Sequence, residues 1–162
     1  MKLLRENRIF REKKSCWIRL GEIYSKYILE KRKESILWAF IAFDLAIVIS
    51  RLIVLDVERG KALFGYLYIK GYHIHHFYYG ILLLIISNWL TLVKYKKLYK
   101  DFFKRVTSIM FGGGLGLVSD EFGLLLTMEF GIKGNYWAPQ SYYAVAIGNI
   151  LFIICLLFTE GD

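Results

Sequence analysis

The sequence predicts an all-α membrane protein with four transmembrane helices, an N-terminal amphipathic helix at the membrane interface, and both termini in the cytoplasm. Three observations predict this fold class. Hydrophobic residues make up 56% of the 162 residues and aromatic residues 17%, which is more apolar than is usual for a soluble domain. Four apolar runs are about long enough to cross a bilayer. Lys and Arg are concentrated in the segments that flank these runs.

The net charge of +8 first suggests a nucleic-acid partner. Because the positive charge lies beside apolar runs, we expect membrane lipids with anionic headgroups as partners, and no nucleic acid. The two cysteines, Cys16 and Cys155, are too few for a disulfide framework and form no paired metal motif.

Residues 1–35 form the first of two predicted domains, a basic segment at the membrane surface. Eleven Lys or Arg residues alternate there with apolar residues at roughly helical spacing. This pattern predicts an amphipathic helix on the cytoplasmic membrane surface that binds anionic headgroups. The alternative is an anchor that only fixes the topology. The segment is too polar for a cleavable signal peptide.

The second predicted domain, residues 36–162, contains the four helices that cross the membrane. The spans are predicted at 36–55, 76–93, 106–128 and 141–158. The loop 56–72 alternates in part and predicts either a short strand or an interfacial segment. The basic connector 94–105 predicts a short cytoplasmic helix, and 129–140 is a second outer loop.

The distribution of Lys and Arg predicts the orientation of the chain in a cell membrane. Residues 1–35 hold eleven and residues 94–105 hold six, whereas the two opposite loops hold four. Because cytoplasmic loops carry the excess of positive residues, both termini are predicted to be cytoplasmic.

All three histidines, His73, His75 and His76, fall within four consecutive positions at the outer end of the second span. Asp120 and Glu121 lie in the outer half of the third span at a similar depth. Ionisable groups are costly in hydrocarbon, so each cluster is a candidate functional site. We expect the two clusters to meet.

Arg51 and Asp44 are predicted charge partners of this site. They are seven residues apart and so share a face of the first span, and Arg51 lies at the depth of the carboxylates. Tyr136 and Trp137, in the second outer loop, are predicted to anchor the chain at the membrane interface and to contact substrate.

Glycines in the third span predict close packing against another helix. Gly112, Gly113 and Gly116 fall broadly on one side with Asp120 in a continuous helix, whereas Glu121 is turned about 100° away. The small residues at Gly112 and Gly116 permit close approach of a neighbouring helix.

The chemistry of the two clusters predicts a divalent metal site for zinc or iron. Adjacent carboxylates in a low-dielectric layer must gain a proton, a cation or an arginine. Three imidazoles and two carboxylates match the ligands of zinc or iron. If residues 73–76 are extended, His73 and His75 point the same way, and if they are helical, His73 and His76 share a face. Asp120 or Glu121 would complete the metal shell, and the other would act as general base in catalysis.

Three functions follow from these predictions. The first is a metal-dependent enzyme that acts on a lipid or isoprenoid at the outer leaflet. The second is a cation or proton transporter or channel subunit, in which Asp44, Arg51, Asp120 and Glu121 form a relay. Four spans are few for a carrier, so this function predicts a homo-oligomer. The third is a structural subunit whose polar cluster holds helices together.

Two motifs carry a resemblance to a known family. They are His-x-His-His-Phe-x-x-Gly, from His73 to Gly80, and Gly-x-x-x-Asp-Glu-Phe, from Gly116 to Phe122, followed by Tyr136-Trp137. The chain resembles, over roughly residues 70–150, a family of small uncharacterised prokaryotic integral membrane proteins. The resemblance implies a membrane location and grouped motifs, and it implies no activity.

Overall fold

A computed structural model of the chain describes residues 18–19, 21–29, 32–60, 68–69, 72–93, 99–127 and 136–159. The regular secondary structure of these residues is helical apart from one pair of two-residue strands. The chain divides into two compact units, Met1–Glu34 with Glu160–Asp162, and Ser35–Thr159.

The described part of the first unit includes a short helical segment with a π-helical turn, Ser25–Leu29. Ile18, Ile23 and Tyr27 are exposed along it, and none of the residues in the π-helical turn is buried. The amphipathic helix predicted over residues 1–35 lies mostly outside the described residues. Its binding to anionic headgroups stays a prediction.

The described residues of the second unit contain five α-helices and a pair of strands, and the first helix begins one residue before the unit, at Glu34. They are α1 (Glu34–Glu58), β1 (Tyr68–Ile69), β2 (Tyr72–His73), α2 (His76–Leu92), α3 (Lys100–Asp120), α4 (Phe122–Thr127) and α5 (Pro139–Phe158). The strands are antiparallel, with Tyr68 opposite His73. Of the two predictions for this outer loop, the described residues therefore contain the short strand.

Two helices, α1 and α5, are long and apolar enough to cross a membrane. They have 25 and 20 residues, and most of their large apolar side chains are exposed on the surface of the chain. The apolar helix α2 is shorter, at 17 residues. The helical fold and two candidate spans agree with the predicted class, while the four-span topology stays a prediction.

The predicted third span, 106–128, is not one continuous helix. Helix α3 begins at Lys100 and so absorbs part of the basic connector, and it ends at Asp120. Glu121 breaks the helix with φ −101° and ψ 17°, and α4 follows. The backbone N–H of Gly123 donates to the Ser141 hydroxyl at 2.9 Å, so this donor is used by α5 and not by the helix itself. The prediction of an unbroken helix was wrong. Ser141 of α5 accepts the Gly123 N–H, which a continuous helix would bond to its own carbonyl.

The apolar core of the second unit lies between α1 and α5. Ala39, Phe43 and Ile47 of α1 pack with Phe152 of α5, and the Phe43 and Phe152 rings lie 5.4 Å apart. Phe43 also fills the space above Gly148, where an added Cβ would lie 2.6 Å from its ring. Burial of these rings supplies much of the packing energy of the unit.

Glycines place α3 in contact with both α1 and α2. A Cβ at Gly112 would overlap the Ala39 carbonyl of α1, and one at Gly116 would lie 2.5 Å from the Phe43 carbonyl. On the other side, a Cβ at Gly114 would lie 2.7 Å from the Gly80 carbonyl of α2. The predicted packing at Gly112 and Gly116 is thus observed.

Gly113 does not belong to either contact. A Cβ added there would meet no atom within 4 Å. The sequence analysis placed Gly113 on the packing face and gave no role to Gly114. This prediction was wrong because α3 has two neighbours, and Gly114 faces the second one.

Candidate functional site

Asp120 is the centre of a polar cluster at one end of the second unit. Its side chain is fully buried, and three elements reach it. Arg51 of α1 donates from Nε to Asp120 Oδ1 at 2.7 Å. His76 Nε2, at the start of α2, lies 3.1 Å from Oδ2. The Tyr136 hydroxyl, before α5, also donates to Oδ2. One carboxylate therefore joins α1, α2, α3 and the segment before α5.

Glu121 forms the second half of the cluster and is also buried. Its Oε1 lies 2.9 Å from His75 Nδ1, and its Oε2 accepts the backbone N–H of Phe77 at 2.9 Å. Oε2 also lies 3.6 Å from His76 Nδ1. The two consecutive carboxylates thus face two consecutive histidines.

The backbone at the start of α2 explains how His75 and His76 both face the carboxylates. His75 is the N-cap, extended at φ −73° and ψ 147°, and His76 is the first helical residue. The first N–H groups of a helix have no partner within it and carry partial positive charge. Glu121 satisfies one of them from outside, because the His75 side chain makes no capping bond. Neither predicted arrangement of residues 73–76 holds throughout, since the backbone changes from extended to helical at His76.

Aromatic side chains surround the cation of the cluster. The Arg51 guanidinium lies 4.4 Å from the Tyr142 ring centroid and 5.8 Å from that of Trp137. These distances are typical of cation–π contacts. Trp137 in turn donates from Nε1 to Glu58 at 3.1 Å. The side chains of Arg51 and His76 are each 21% exposed. They are therefore the groups of the cluster that a molecule at the protein surface can contact.

Comparison of the chain with protein-family models, characterised proteins and solved structures finds no match. The resemblance to a family of small membrane proteins stays a prediction.

Tyr136 is a hydrogen-bond donor in this site over a wide pH range. Burial raises the pKa of its phenol, and the negative charge and hydrogen bond of Asp120 raise it further. The phenol therefore keeps its proton and donates it to Asp120.

The structure brings together most of the predicted site residues. His75, His76, Asp120, Glu121 and Arg51 form one hydrogen-bonded cluster. Of the two predicted substrate contacts, Tyr136 bonds to the centre and Trp137 lies at the edge beside Arg51.

Two predicted members are not placed in the cluster. Asp44 is partly buried two turns before Arg51, and among the described residues it forms no ion pair or hydrogen bond. The carboxylate partner of Arg51 is Asp120 and not Asp44. The side chain of His73 lies outside the described part of the chain.

Three members of the site were not predicted from the sequence: Glu58, Tyr142 and the backbone of Phe77. Glu58 follows Arg51 by seven residues and so shares its helix face, by the same spacing that singled out Asp44. Tyr142 and the Phe77 N–H carry no such signal, because their roles depend on how separate elements meet.

The predicted metal site was compared with the geometry of these side chains. No group of three or more His, Cys, Asp or Glu residues in the described ranges is placed to hold a metal ion. Each carboxylate is instead hydrogen-bonded to an imidazole, and Arg51 occupies one oxygen of Asp120. Metal binding by His73, His75, His76, Asp120 and Glu121 stays a prediction.

His76 is the member of the cluster that faces both carboxylates. Its Nε2 lies 3.1 Å from Asp120 Oδ2, and its Nδ1 lies 3.6 Å from Glu121 Oε2. The ring is therefore held from two sides.

Proposed function

We propose that the chain is a multipass membrane protein with four spans formed by α1, α2, α3 with α4, and α5. Two of these helices are candidate spans by length and composition. The 21 residues of α3 reach about 30 Å, the thickness of the hydrocarbon core. Lys100, Lys104 and Arg105 lie at the end of α3 remote from Asp120. The positive-inside rule then puts that end in the cytoplasm and the polar cluster near the extracytoplasmic surface.

We infer that the cluster performs acid–base catalysis on a lipid or isoprenoid at that surface. The observation that carries this inference is the position of His76 between Asp120 and Glu121. A carboxylate that holds one imidazole nitrogen fixes the ring orientation and stabilises the imidazolium, as a general base requires. In this proposal His76 exchanges the proton, and Asp120 orients it.

The surroundings of His76 supply the other roles of this proposal. Glu121 holds His75 and the start of α2, so it positions the exchanging ring. Arg51 is partly exposed, and its guanidinium attracts a negatively charged group of a substrate. The rings of Trp137 and Tyr142 flank Arg51 and offer contact to the apolar part of a lipid.

Catalysis is better supported than proton transport. A transport path needs polar groups that continue from the cluster to the opposite surface. Asp44, which the relay requires, is not joined to the cluster in the described residues. A catalytic site needs access from one side only, and the exposed parts of Arg51 and His76 provide it.

Untargeted lipid analysis of membranes tests this function. Cells that express the wild type are compared with cells that express His76→Gln at the same protein level. Asp44→Asn is the matched control. It also removes an ionisable group from an apolar helix, α1, but at a residue outside the cluster. At least one lipid class is expected to change with the wild type and with Asp44→Asn, and to remain unchanged with His76→Gln. Identical lipid profiles for wild type and His76→Gln would overturn the catalytic role.

The contact of His76 with Asp120 is measured separately. The chain has three histidines, so the imidazole nitrogens of labelled protein can be assigned by NMR with single His→Gln variants. We expect the His76 Nε2 resonance to shift in Asp120→Asn, because this nitrogen lies 3.1 Å from Asp120 Oδ2. An unchanged His76 resonance in a folded Asp120→Asn variant would contradict this contact.

Metal-dependent chemistry is the competing proposal for the same residues. It is supported by the proximity of two imidazoles and two carboxylates, with donor atoms 2.9–3.6 Å apart. Ligands of zinc, each about 2.0–2.2 Å from the ion, are separated by similar distances. The Arg51 bond to Asp120 weighs against it, because a second cation would be repelled there.

A further inference from the structure

A cavity of about 710 Å³ lies at the end of the second unit opposite to the Asp120 cluster. Four helices line it, and Thr107 of α3 is one of its lining residues. Thr107 precedes Asp120 by thirteen residues, which is about 20 Å along a helix. The cavity shares no lining residue with the polar cluster, so it has no part in the proposed acid–base chemistry.

The two sides of the cavity differ in chemistry. Helices α2 and α3 contribute Ser87, Asn88, Thr91, Thr107 and Ser108, which carry hydroxyl or amide groups. Helices α1 and α5 contribute mainly apolar side chains, and none of the lining residues is charged. A charged ligand would therefore enter a site without a counter-ion, which is costly in an apolar environment.

The hydroxyl groups of the polar side are already used as donors. Ser87 donates to the Leu84 carbonyl at 2.9 Å, Thr107 to that of Phe103 at 2.9 Å, and Ser108 to that of Lys104 at 2.7 Å. A hydroxyl that donates to its own helix keeps its oxygen lone pairs for other donors. The polar side thus offers mostly acceptors to a ligand.

We propose that this cavity binds a neutral lipid-soluble alcohol, with a hydrocarbon or isoprenoid body and a hydroxyl head. The apolar side takes the body, and the Ser and Thr oxygens accept the hydrogen bond of the head. The volume lies within the range of about 300–1,000 Å³ found for small-molecule sites. This inference is independent of the function proposed for His76 and Asp120.

Cys155 lines the cavity and reports on its occupancy. The chain has two cysteines, so Cys16→Ser leaves Cys155 as the single thiol. The rate of Cys155 labelling by a maleimide is measured on the full chain in lipid nanodiscs, with increasing farnesol as the probe alcohol. Farnesene, which lacks the hydroxyl, and farnesyl phosphate, which is charged, are the comparison compounds.

Farnesol is expected to slow the labelling in a saturable way, farnesene to do so at higher concentration, and farnesyl phosphate to have little effect. Loss of one hydrogen bond is worth about 0.5–1.5 kcal/mol, which corresponds to roughly a 2–10-fold weaker half-saturation for farnesene. Equal protection by farnesol and farnesene would show general occupancy by hydrocarbon and overturn the proposal. Unchanged labelling with saturating farnesol would also overturn it.

Variants locate the hydroxyl of the ligand. Thr107→Val keeps the side-chain shape and removes the acceptor, so it is expected to weaken protection by farnesol and not by farnesene. Ser50→Ala is the matched control, since Ser50 also donates to its own helix, at Ala46, but lies outside the cavity. If Thr107→Val fails to fold, Ser108→Ala at a less buried position replaces it. Unaltered farnesol protection in both Thr107→Val and Ser108→Ala would refute binding of the hydroxyl at this wall.

Discussion

Glu121 Oε2 accepts the backbone N–H of Phe77 at 2.9 Å, so a carboxylate at the break after α3 holds a backbone donor in the first turn of α2. The same side chain holds His75 through its other oxygen. The contact joins residues 44 positions apart in the chain. Glu121 therefore stabilises the junction of α2 with α3.

Glu121→Ala is expected to destabilise the protein more than Glu121→Gln. Alanine removes the oxygen that accepts the buried Phe77 N–H, and removal of such a partner costs about 1–3 kcal/mol. Glutamine keeps a carbonyl oxygen for the Phe77 N–H and loses only the charge that faces His75. Thermal unfolding in detergent micelles, followed by circular dichroism, measures the difference. An unfolding temperature for Glu121→Ala equal to that of the wild type would contradict the capping role.

Arg51 and Asp120 are expected to be strongly coupled in a double-mutant cycle. Removal of one member of a buried ion pair costs about 3–5 kcal/mol, and the partial exposure of Arg51 places the cost at the low end. Arg51→Gln and Asp120→Asn should each destabilise, and the double variant should lose less than their sum. The cycle is measured by denaturant unfolding in one detergent. Strictly additive losses would mean that the two groups do not interact.

Three consecutive glycines test the packing of α3. Gly112 and Gly114 contact its neighbours, and Gly113 is the control. Alanine at Gly112 or Gly114 places a Cβ against the backbone of α1 or α2, and both variants should be destabilised. Alanine at Gly113 meets open space and should be neutral or stabilising by up to about 1 kcal/mol, because it lowers the entropy of the unfolded chain. Unfolding temperatures of the three variants decide this. Similar destabilisation at all three positions would be inconsistent with the observed packing.

Tyr136 makes the stability depend on pH in the alkaline range. Burial and then Asp120 raise the pKa of the phenol in the folded state above the unfolded value of about 10. The stabilisation is therefore complete below pH 10 and decreases as the pH rises above it, since the unfolded chain then releases this proton. Tyr136→Phe should be less stable than the wild type at neutral pH, and the difference should shrink above pH 10. A difference that stays constant through this range would argue against the raised pKa.

Metal content separates the two proposals for the polar cluster. Under the acid–base proposal, purified protein holds no stoichiometric zinc or iron, and a chelator leaves its unfolding temperature unchanged. Under the metal proposal, about one equivalent is present and is lost in His75→Ala. Elemental analysis of both proteins, prepared with and without added zinc, makes the comparison. One equivalent of metal that depends on His75 would overturn the metal-free mechanism.

The meeting of the histidines with Asp120 and Glu121 could be predicted from the sequence because their positions along the apolar runs place them at the same end of neighbouring helices. The Arg51 partner followed from the same argument, since Arg51 lies toward that end of α1. Glu58 was equally accessible, because it lies seven residues after Arg51. These features depend on the local periodicity of one helix and on its length.

Other features of the site could not be predicted, because they depend on contacts between separate elements. The break at Glu121 depends on the Ser141 hydroxyl, which reaches Gly123 from α5. The choice of Gly114 over Gly113 depends on how α3 is rotated between two neighbours. Helical periodicity gives the angle between residues on one helix and does not give the direction in which a second neighbour lies.

The convergence of four segments on Asp120 bears on the order in which the chain is assembled during synthesis. Arg51 and His76 leave the ribosome before Asp120, and Tyr136 leaves after it. A helix with an unpaired carboxylate enters a bilayer poorly. If Arg51 and His76 are already in place when the helix enters, they pair with its Asp120 and lower this cost. In the proposed four-span topology, insertion of the third hydrophobic segment should therefore depend on the first two, and loss of Arg51 should weaken it.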